Sequence, residues 1–350
     1  MKAGLTLEDL INEVDRQERE RVDFIIPQGE MAFVAAGPLR EEALEFRGRA
    51  FSLTDTAHKQ LATLAGVPQS FYAKMMDKHP DLHRDTVNRL LADTPDRKRM
   101  VRTLDGKARS INSDSYLRID HERILEVVIP ELQGLGFDVK SCNVDGESLF
   151  LKAFSPKLTG EISKGDIVQA ALTIRNNEVG QGKARVDLST FRLVCTNGMI
   201  ASTDMGGYSR RHLGGYVKAD AEGIAESGSL DQVVLHLKES MALAITGFET
   251  LMEKLRATTT NVFAKGTDLE KLVQAMAKKH MPMSDLEAAS VTHWLREEDE
   301  TAFGMIQALT RHAQDAKTYQ RATDFETFGG MILDFSPRQW NELQEMAKAA

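Results

Sequence analysis

FDVKSCNVDGESLFLKAF, residues 137–154, with DIVQAALTIR at 166–175 and VDLSTFRLV at 186–194, decides the fold. Each run is short, mostly apolar and bounded by turn residues, the signature of a strand. Asp145-Gly146 predicts a turn between strands Phe137–Asn143 and Ser148–Phe154, and Asn176 to Lys183 forms the loop joining the last two strands. Upstream, Asp120 is placed to cap a helix over His121–Leu132. A helix followed by consecutive strands reads as an antiparallel meander, so the fold class is α+β: an antiparallel sheet with packed helices, followed by a C-terminal helical region.

Working toward the N-terminus, Tyr116–Ile119 reads as a short strand, and Asp105-Gly106 as a hairpin turn. Residues 54–92 have helical period, with Gly66-Val67-Pro68 turning one helix into the next. Extended stretches are expected at 22–26, 31–35, 44–46 and 50–53, after a first helix over Thr6–Glu20 capped by Thr6. Toward the C-terminus, a glycine-rich connection at 206–216 leads into helices. Val234, Met241, Phe248 and Leu255 recur every seven residues, with Leu237, Ala244 and Leu251 between them. That seam can bury against a helix of the same chain or of a second copy, so a homo-oligomer through Val234–Leu255 is an expectation. Ser284-x-x-Glu287 and Thr323-x-x-Glu326 read as capping boxes, and Ser336-Pro337 opens a final helix. Basic charge and strands give way to acidic charge and helices near 217–229, which sets expected domains of 1–217 and 229–350.

The 350 residues are 42% hydrophobic and 27% charged, ordinary globular composition. No apolar run is long enough to span a bilayer and the first residues lack a signal peptide's apolar core, so no membrane association and a cytoplasmic location are expected. Cys142 and Cys195 share no CxxC and read as packing residues.

Few chemical motifs are present. There is no G-x-x-x-x-G-K-[ST] loop to cradle phosphates, no H-E-x-x-H and no G-x-S-x-G, so no cofactor, metal or catalytic residue is assigned and the balance leans away from an enzyme. His79 and His83 stand four apart, but Pro80 interrupts a shared helical face and no third ligand is near in sequence. Leu61 to Ser70 has the small residues of a helix-turn-helix, which would aim Gln69, Ser70 and Lys74 at a groove; a plain helical corner explains it as well.

Charge is unevenly spread. The chain's net charge is −8, yet 84–123 carries +3 and 183–218 carries +4. Arg97, Lys98, Arg99, Arg102 and Arg109 cluster in the first stretch. Arg210 and Arg211 lie in the second, interleaved with Tyr208 and Tyr216. Guanidiniums contact phosphates and aromatic rings stack on bases, so these nine residues are the candidate nucleic-acid ligands. The competing reading is two solvated basic loops.

Tyr116-Leu117-Arg118-Ile119, Phe137, Leu149-Phe150-Leu151, Phe191-Arg192-Leu193-Val194-Cys195-Thr196-Asn197-Gly198 and Ala322-x-x-Phe325-Glu326-x-x-Gly329-Gly330 together resemble the phage/plasmid-like family called domain of unknown function 932. The resemblance runs from about 45 to 335 and implies a prokaryotic or phage protein from a mobile-element setting. It carries no reaction and no catalytic residues. The helix-then-strands order is also similar in architecture to the core of Rad52-type strand-annealing proteins. The resulting expectation is a nucleic-acid-binding protein, for single-stranded DNA, in phage or plasmid DNA processing. The alternative is a non-enzymatic interaction or structural protein of a mobile element.

Overall fold

The computed structural model describes residues 2–36, 41–193, 197–201, 208–211 and 228–348. Helix α1 (Leu7–Glu20) starts where Thr6 Oγ1 accepts from the Asp9 amide, as its sequence predicts. Six strands then form a first sheet: β1 (Val22–Pro27), β2 (Ala32–Ala36), β3 (Glu41–Phe46), β4 (Arg49–Leu53), β5 (Lys98–Leu104) and β6 (Lys107–Ser113), in the order β1-β5-β6-β4-β3-β2. The β5–β6 hairpin turns on Asp105 and Gly106, both at positive φ (51° and 73°), the backbone that an Asp-Gly pair tolerates. Helices α2 (Asp55–Leu64), α3 (Gln69–Lys78) and α4 (Pro80–Ala92) close one face over a small core that includes Phe33, Leu44, Leu61, Val87 and Val101.

Residues 116–119 are not a strand. They form a loop with Leu117 and Ile119 buried, because the chain there bridges the two sheets. Helix α5 (His121–Gly134) follows, and then the meander β7 (Asp138–Val144), β8 (Ser148–Glu161), β9 (Ile167–Asn177) and β10 (Lys183–Arg192). The short strands β11 (Asn197–Ile200) and β12 (Tyr208–Arg211) both pair antiparallel with β10, completing a second sheet of order β11-β10-β9-β8-β7.

Seven helices follow among the described residues: α6 (Gly228–Thr246), α7 (Phe248–Thr259), α8 (Leu269–Lys279), α9 (Asp285–Arg296), α10 (Ala302–Asp315), α11 (Tyr319–Met331) and α12 (Pro337–Met346). The heptad seam does not wait for a second copy. Leu237, Met241, Ala244, Phe248, Leu251 and Leu255 are all buried in the chain's own core beside the second sheet. That core also takes in α1, α5 and the remaining C-terminal helices, so the helical region 229–350 shares one interior with the second sheet.

Of the three caps predicted in the C-terminal helices, two hold and one does not. Ser284 with Glu287 is a capping box, and Ser336 caps α12 with Gln339 at the third position. Thr323 instead lies inside α11, donating to Tyr319 O, while Thr318 caps that helix. Glu326 is thereby freed for another partner. No helix among the described residues is long and apolar enough to cross a membrane.

Candidate functional site

The first basic stretch divides on folding. Arg97 and Lys98 are exposed, and Arg99 is half-buried with its Nε donating to Gln28 Oε1 (2.9 Å). Arg102 and Arg109 are interior residues, only 0% and 2% exposed, and this corrects their reading as phosphate ligands. Arg102 donates to Asp23 Oδ1 (3.0 Å), Asp120 Oδ1 (2.5 Å) and the Glu178 carbonyl (2.9 Å). Arg109 pairs with Glu178 Oε2 (2.5 Å) and donates to Gly146 O. These guanidiniums are desolvated and neutralised, which ties the first sheet to the second rather than leaving charge for a ligand.

The network explains two local departures. Asp120 makes no side-chain cap on α5, because its carboxylate is taken by Arg102 and by Arg21 (3.2 Å). Glu178 takes over, accepting from the His121 amide at 2.6 Å. Burial alone would raise the Glu178 pKa, but His121, Arg109 and Arg102 around it hold the carboxyl well below its ordinary value.

The second basic stretch meets the sheet edge. β12 lies antiparallel to β10, with Arg211 opposite Lys183, Arg210 opposite Ala184 and Tyr208 opposite Val186. Tyr216 lies outside the described residues. Beside this edge opens a cleft of about 440 Å³, whose lining includes Ser148, Arg175, Asn177, Lys183, Arg185 and Gln320. The sheet alternation sets Phe150, Lys152, Thr173, Arg175, Arg185, Asp187 and Ser189 on one face, the face that α11 partly covers. Asp187, 1% exposed, pins two guanidiniums: Arg175 Nη2 to Oδ2 and Arg185 Nη2 to Oδ1, each at 2.6 Å. Lys183 pairs with no described carboxylate. Glu147 also lines the cleft, and it and the nearby Asp324 are pushed above their ordinary pKa by burial.

At this corner the β9–β10 turn meets α2 and β6 of the first sheet. Gln60 Nε2 donates both to Asn112 Oδ1 on β6 (3.3 Å) and to Val179 O in the β9–β10 turn (2.7 Å). Arg99 lies opposite Ser113, the next residue along β6.

Arg175, Lys183, Arg185 and Asp187 escaped the sequence reading. Their signal was there: charged residues inside otherwise apolar strands. Such a residue is either paired or functional, and here the same carboxylate serves two cations. Elsewhere, His83 is fully buried with Nδ1 2.7 Å from Glu42 Oε1, while His79 is exposed, so the two imidazoles do not share a site. Gln69, in the helix-turn-helix candidate, donates back to Lys59 O within its own corner.

The Arg-x-x-Cys-Thr-Asn stretch is fold-forming where described. Arg192 donates to Asp166 Oδ1 (2.6 Å) and to Gln307 Oε1 of α10, and Asn197 bonds Gln307 and Gln314 of the same helix. Cys195 lies outside the described residues. Of the second motif, Phe325 and Gly329 pack against α10, while Glu326 and Gly330 seat α11 on the sheet. Glu326 pairs with Lys152, and the Gly330 Cα passes so close to Ile200 O that any Cβ would lie 1.8 Å from it.

Neither the curated proteins nor the solved structures contain a match to this chain. Residues 109–328 match the family described as "Domain of unknown function (DUF932)", a span that runs from β6 to α11 and takes in the whole second sheet with its cleft. Since the matched span is more than half of the sequence, the chain belongs to the DUF932 family.

Proposed function

We propose that this protein binds nucleic acid, single-stranded DNA in the first place, at the cleft beside β10 and along the β10–β12 edge. The observation that carries the reading is one arrangement: Arg175, Lys183 and Arg185 line a concave site, and the register of β12 brings Arg210 and Arg211 alongside it. Guanidiniums and an ammonium without a described carboxylate partner, on a fixed sheet, suit phosphate oxygens, and the amide groups of Asn177 and Gln320 suit sugars or base edges. Arg97 and Lys98 are exposed, whereas Arg102 and Arg109 are buried and support the fold. A phage or plasmid setting, with the protein acting in DNA processing, is the context that the family resemblance supports.

The test is binding of labelled oligothymidylate followed by fluorescence anisotropy across a salt series. Binding at about 50 mM salt is expected, with log affinity falling linearly against log salt by about 0.7 per phosphate contacted. The double variant R210E/R211E should flatten that slope. No binding at low salt, or a slope of zero, would rule the reading out.

A second reading, a protein-interaction role, is favoured by one feature: Phe71, Met76 and Leu82 stand exposed on the adjoining helices α3 and α4. Under it, R210E/R211E would leave function intact while F71S/L82S would abolish it.

A further inference from the structure

We propose that the cleft receives one nucleobase of a bound strand, a guanine, while the sugar-phosphate backbone stays on the β10–β12 edge. The proposal rests on the nucleic-acid reading above and divides its site into a backbone track and a base pocket.

Charge is the first ground. Lys183, Arg175 and Arg185 bring positive charge to the cleft. Asp187 beneath the two guanidiniums, Glu147 on the cleft wall and Asp324 beside Arg175 bring an equal number of carboxyls. The formal charges cancel inside the cleft. A group that is itself neutral, with donors and acceptors along its edges, suits such a site better than an anion does.

The pattern of donors and acceptors is the second. β8, β9 and β10 run side by side, with Phe150 opposite Arg175 and Arg175 opposite Arg185. Side chains two residues away share that face, which adds Ser148, Asn177 and Lys183. Cationic donors therefore gather on β9 and β10, and the Glu147 carboxyl stands just before β8. The outer two of these strands lie about 10 Å apart, twice the strand spacing, a width that a purine with hydrogen bonds at both edges fills. Glu147 Oε2 accepts from Thr56 Oγ1 at 2.8 Å, which steadies the carboxyl and leaves it acceptor capacity. Asp187 holds the Arg185 fork through Nε and Nη2, so Nη1 is oriented before any ligand arrives. Guanine is the base that matches. Its N1–H and N2 amino group offer two neighbouring donors to a carboxylate, and its O6 and N7 offer two neighbouring acceptors to arginine or lysine. Adenine, cytosine and thymine each carry a single donor group.

Shape is the third. Gln320 of α11 lines the cleft, and beyond it the sheet face runs under that helix. There the Tyr319 ring packs against Phe150 with centroids 5.3 Å apart, and Lys152 pairs with Glu326, both nearly sealed from solvent. A strand cannot continue across the sheet at this point, but one base can enter, with Phe150 as an apolar wall. The volume of about 440 Å³ suits a single small moiety rather than a run of strand.

The experiment uses the full chain and oligothymidylates of one length whose central base is thymine, adenine, cytosine or guanine. Two further strands carry hypoxanthine, which lacks the N2 amino group, or 7-deazaguanine, which lacks the N7 acceptor. Free guanosine monophosphate is the last probe. The strand with guanine should bind about tenfold more tightly than the other three natural strands, within the worth of a bidentate base contact. Hypoxanthine and 7-deazaguanine should each lose most of that gain. Glu147→Gln and Lys183→Gln should each shrink the ratio of guanine to thymine affinity, with thermal unfolding confirming that the variants fold. Equal affinity for the four natural strands, or a preference for another base, would overturn the guanine proposal and leave nucleic-acid binding standing. Failure of every oligonucleotide to bind would remove both. Guanosine monophosphate binding as tightly as the guanine strand would also overturn the proposal, by making the ligand a free nucleotide.

Discussion

Lys152 and Glu326 show what a single charge does inside this protein. Lys152 sits on β8 at 3% exposure with its ammonium 4.9 Å from the Tyr319 ring centre, and Glu326 reaches it from α11 at 1% exposure. Glu326 Oε1 has no hydrogen-bond partner, so the pair is imperfectly satisfied. Desolvating two ions costs most of what their attraction returns, whereas removing one partner strands the other. Lys152→Met alone should therefore destabilise the fold by about 3–5 kcal/mol, and K152M/E326L should recover most of that loss. Urea unfolding of the two singles and the double measures it; additive losses would show that the pair is not coupled. The sequence displayed Lys152 within Leu149-Phe150-Leu151-Lys152-Ala153 but could not name a partner 174 positions away.

Among elements, α11 matters most because it closes the polar face of the second sheet and ends the cleft. Its approach depends on glycine. At Gly330 a methyl group would lie 1.8 Å from Ile200 O, an overlap with backbone that no rotamer relieves. Gly330→Ala should cost about 3 kcal/mol or more, lowering the urea midpoint. Gly266, at positive φ and with open space around it, marks the contrast: Gly266→Asn, a residue that tolerates the left-handed region, should lower the midpoint far less. α6 and α7 teach the complementary lesson. Their seven-residue seam is real in the sequence, but the second sheet of the same chain offers an apolar face nearer than any second copy, and the seam is buried there.

For the whole molecule, the buried titratable groups set an acid limit. His58, His121 and His312 are each held below the ordinary imidazole value of 6.5, burial being the largest cause. A histidine whose folded pKa is depressed binds its proton in the unfolded chain first. Its contribution is complete above about 6.5 and falls away as pH drops below that value. Glu178, and Glu287 held at about 2 chiefly by its bond from Arg321, work in a lower window. Both lose their stabilising contribution as pH falls below 4.5 toward their folded values. Melting temperature should accordingly be flat from pH 8 to 7, decline below about 6.5 and fall again below about 4.5. A melting temperature that rises on going from pH 7 to 5 would contradict these assignments.

Local chemistry determined most of the elements. Thr6, Ser284 and Ser336 cap because a hydroxyl satisfies a free helix amide, Asp105-Gly106 turns because both residues accept positive φ, and the runs at 148–154 and 186–192 are short, mostly apolar and bounded by turn residues. Those are interactions within a few residues, and a sequence shows them directly. Which positive charges are interior was decided only by the packing of one sheet on the other. Arg102 and Arg185 look alike along the chain, yet one is sealed against Asp23, Asp120 and Glu178 while the other opens on a cleft, because burial and ion pairing join residues far apart in order.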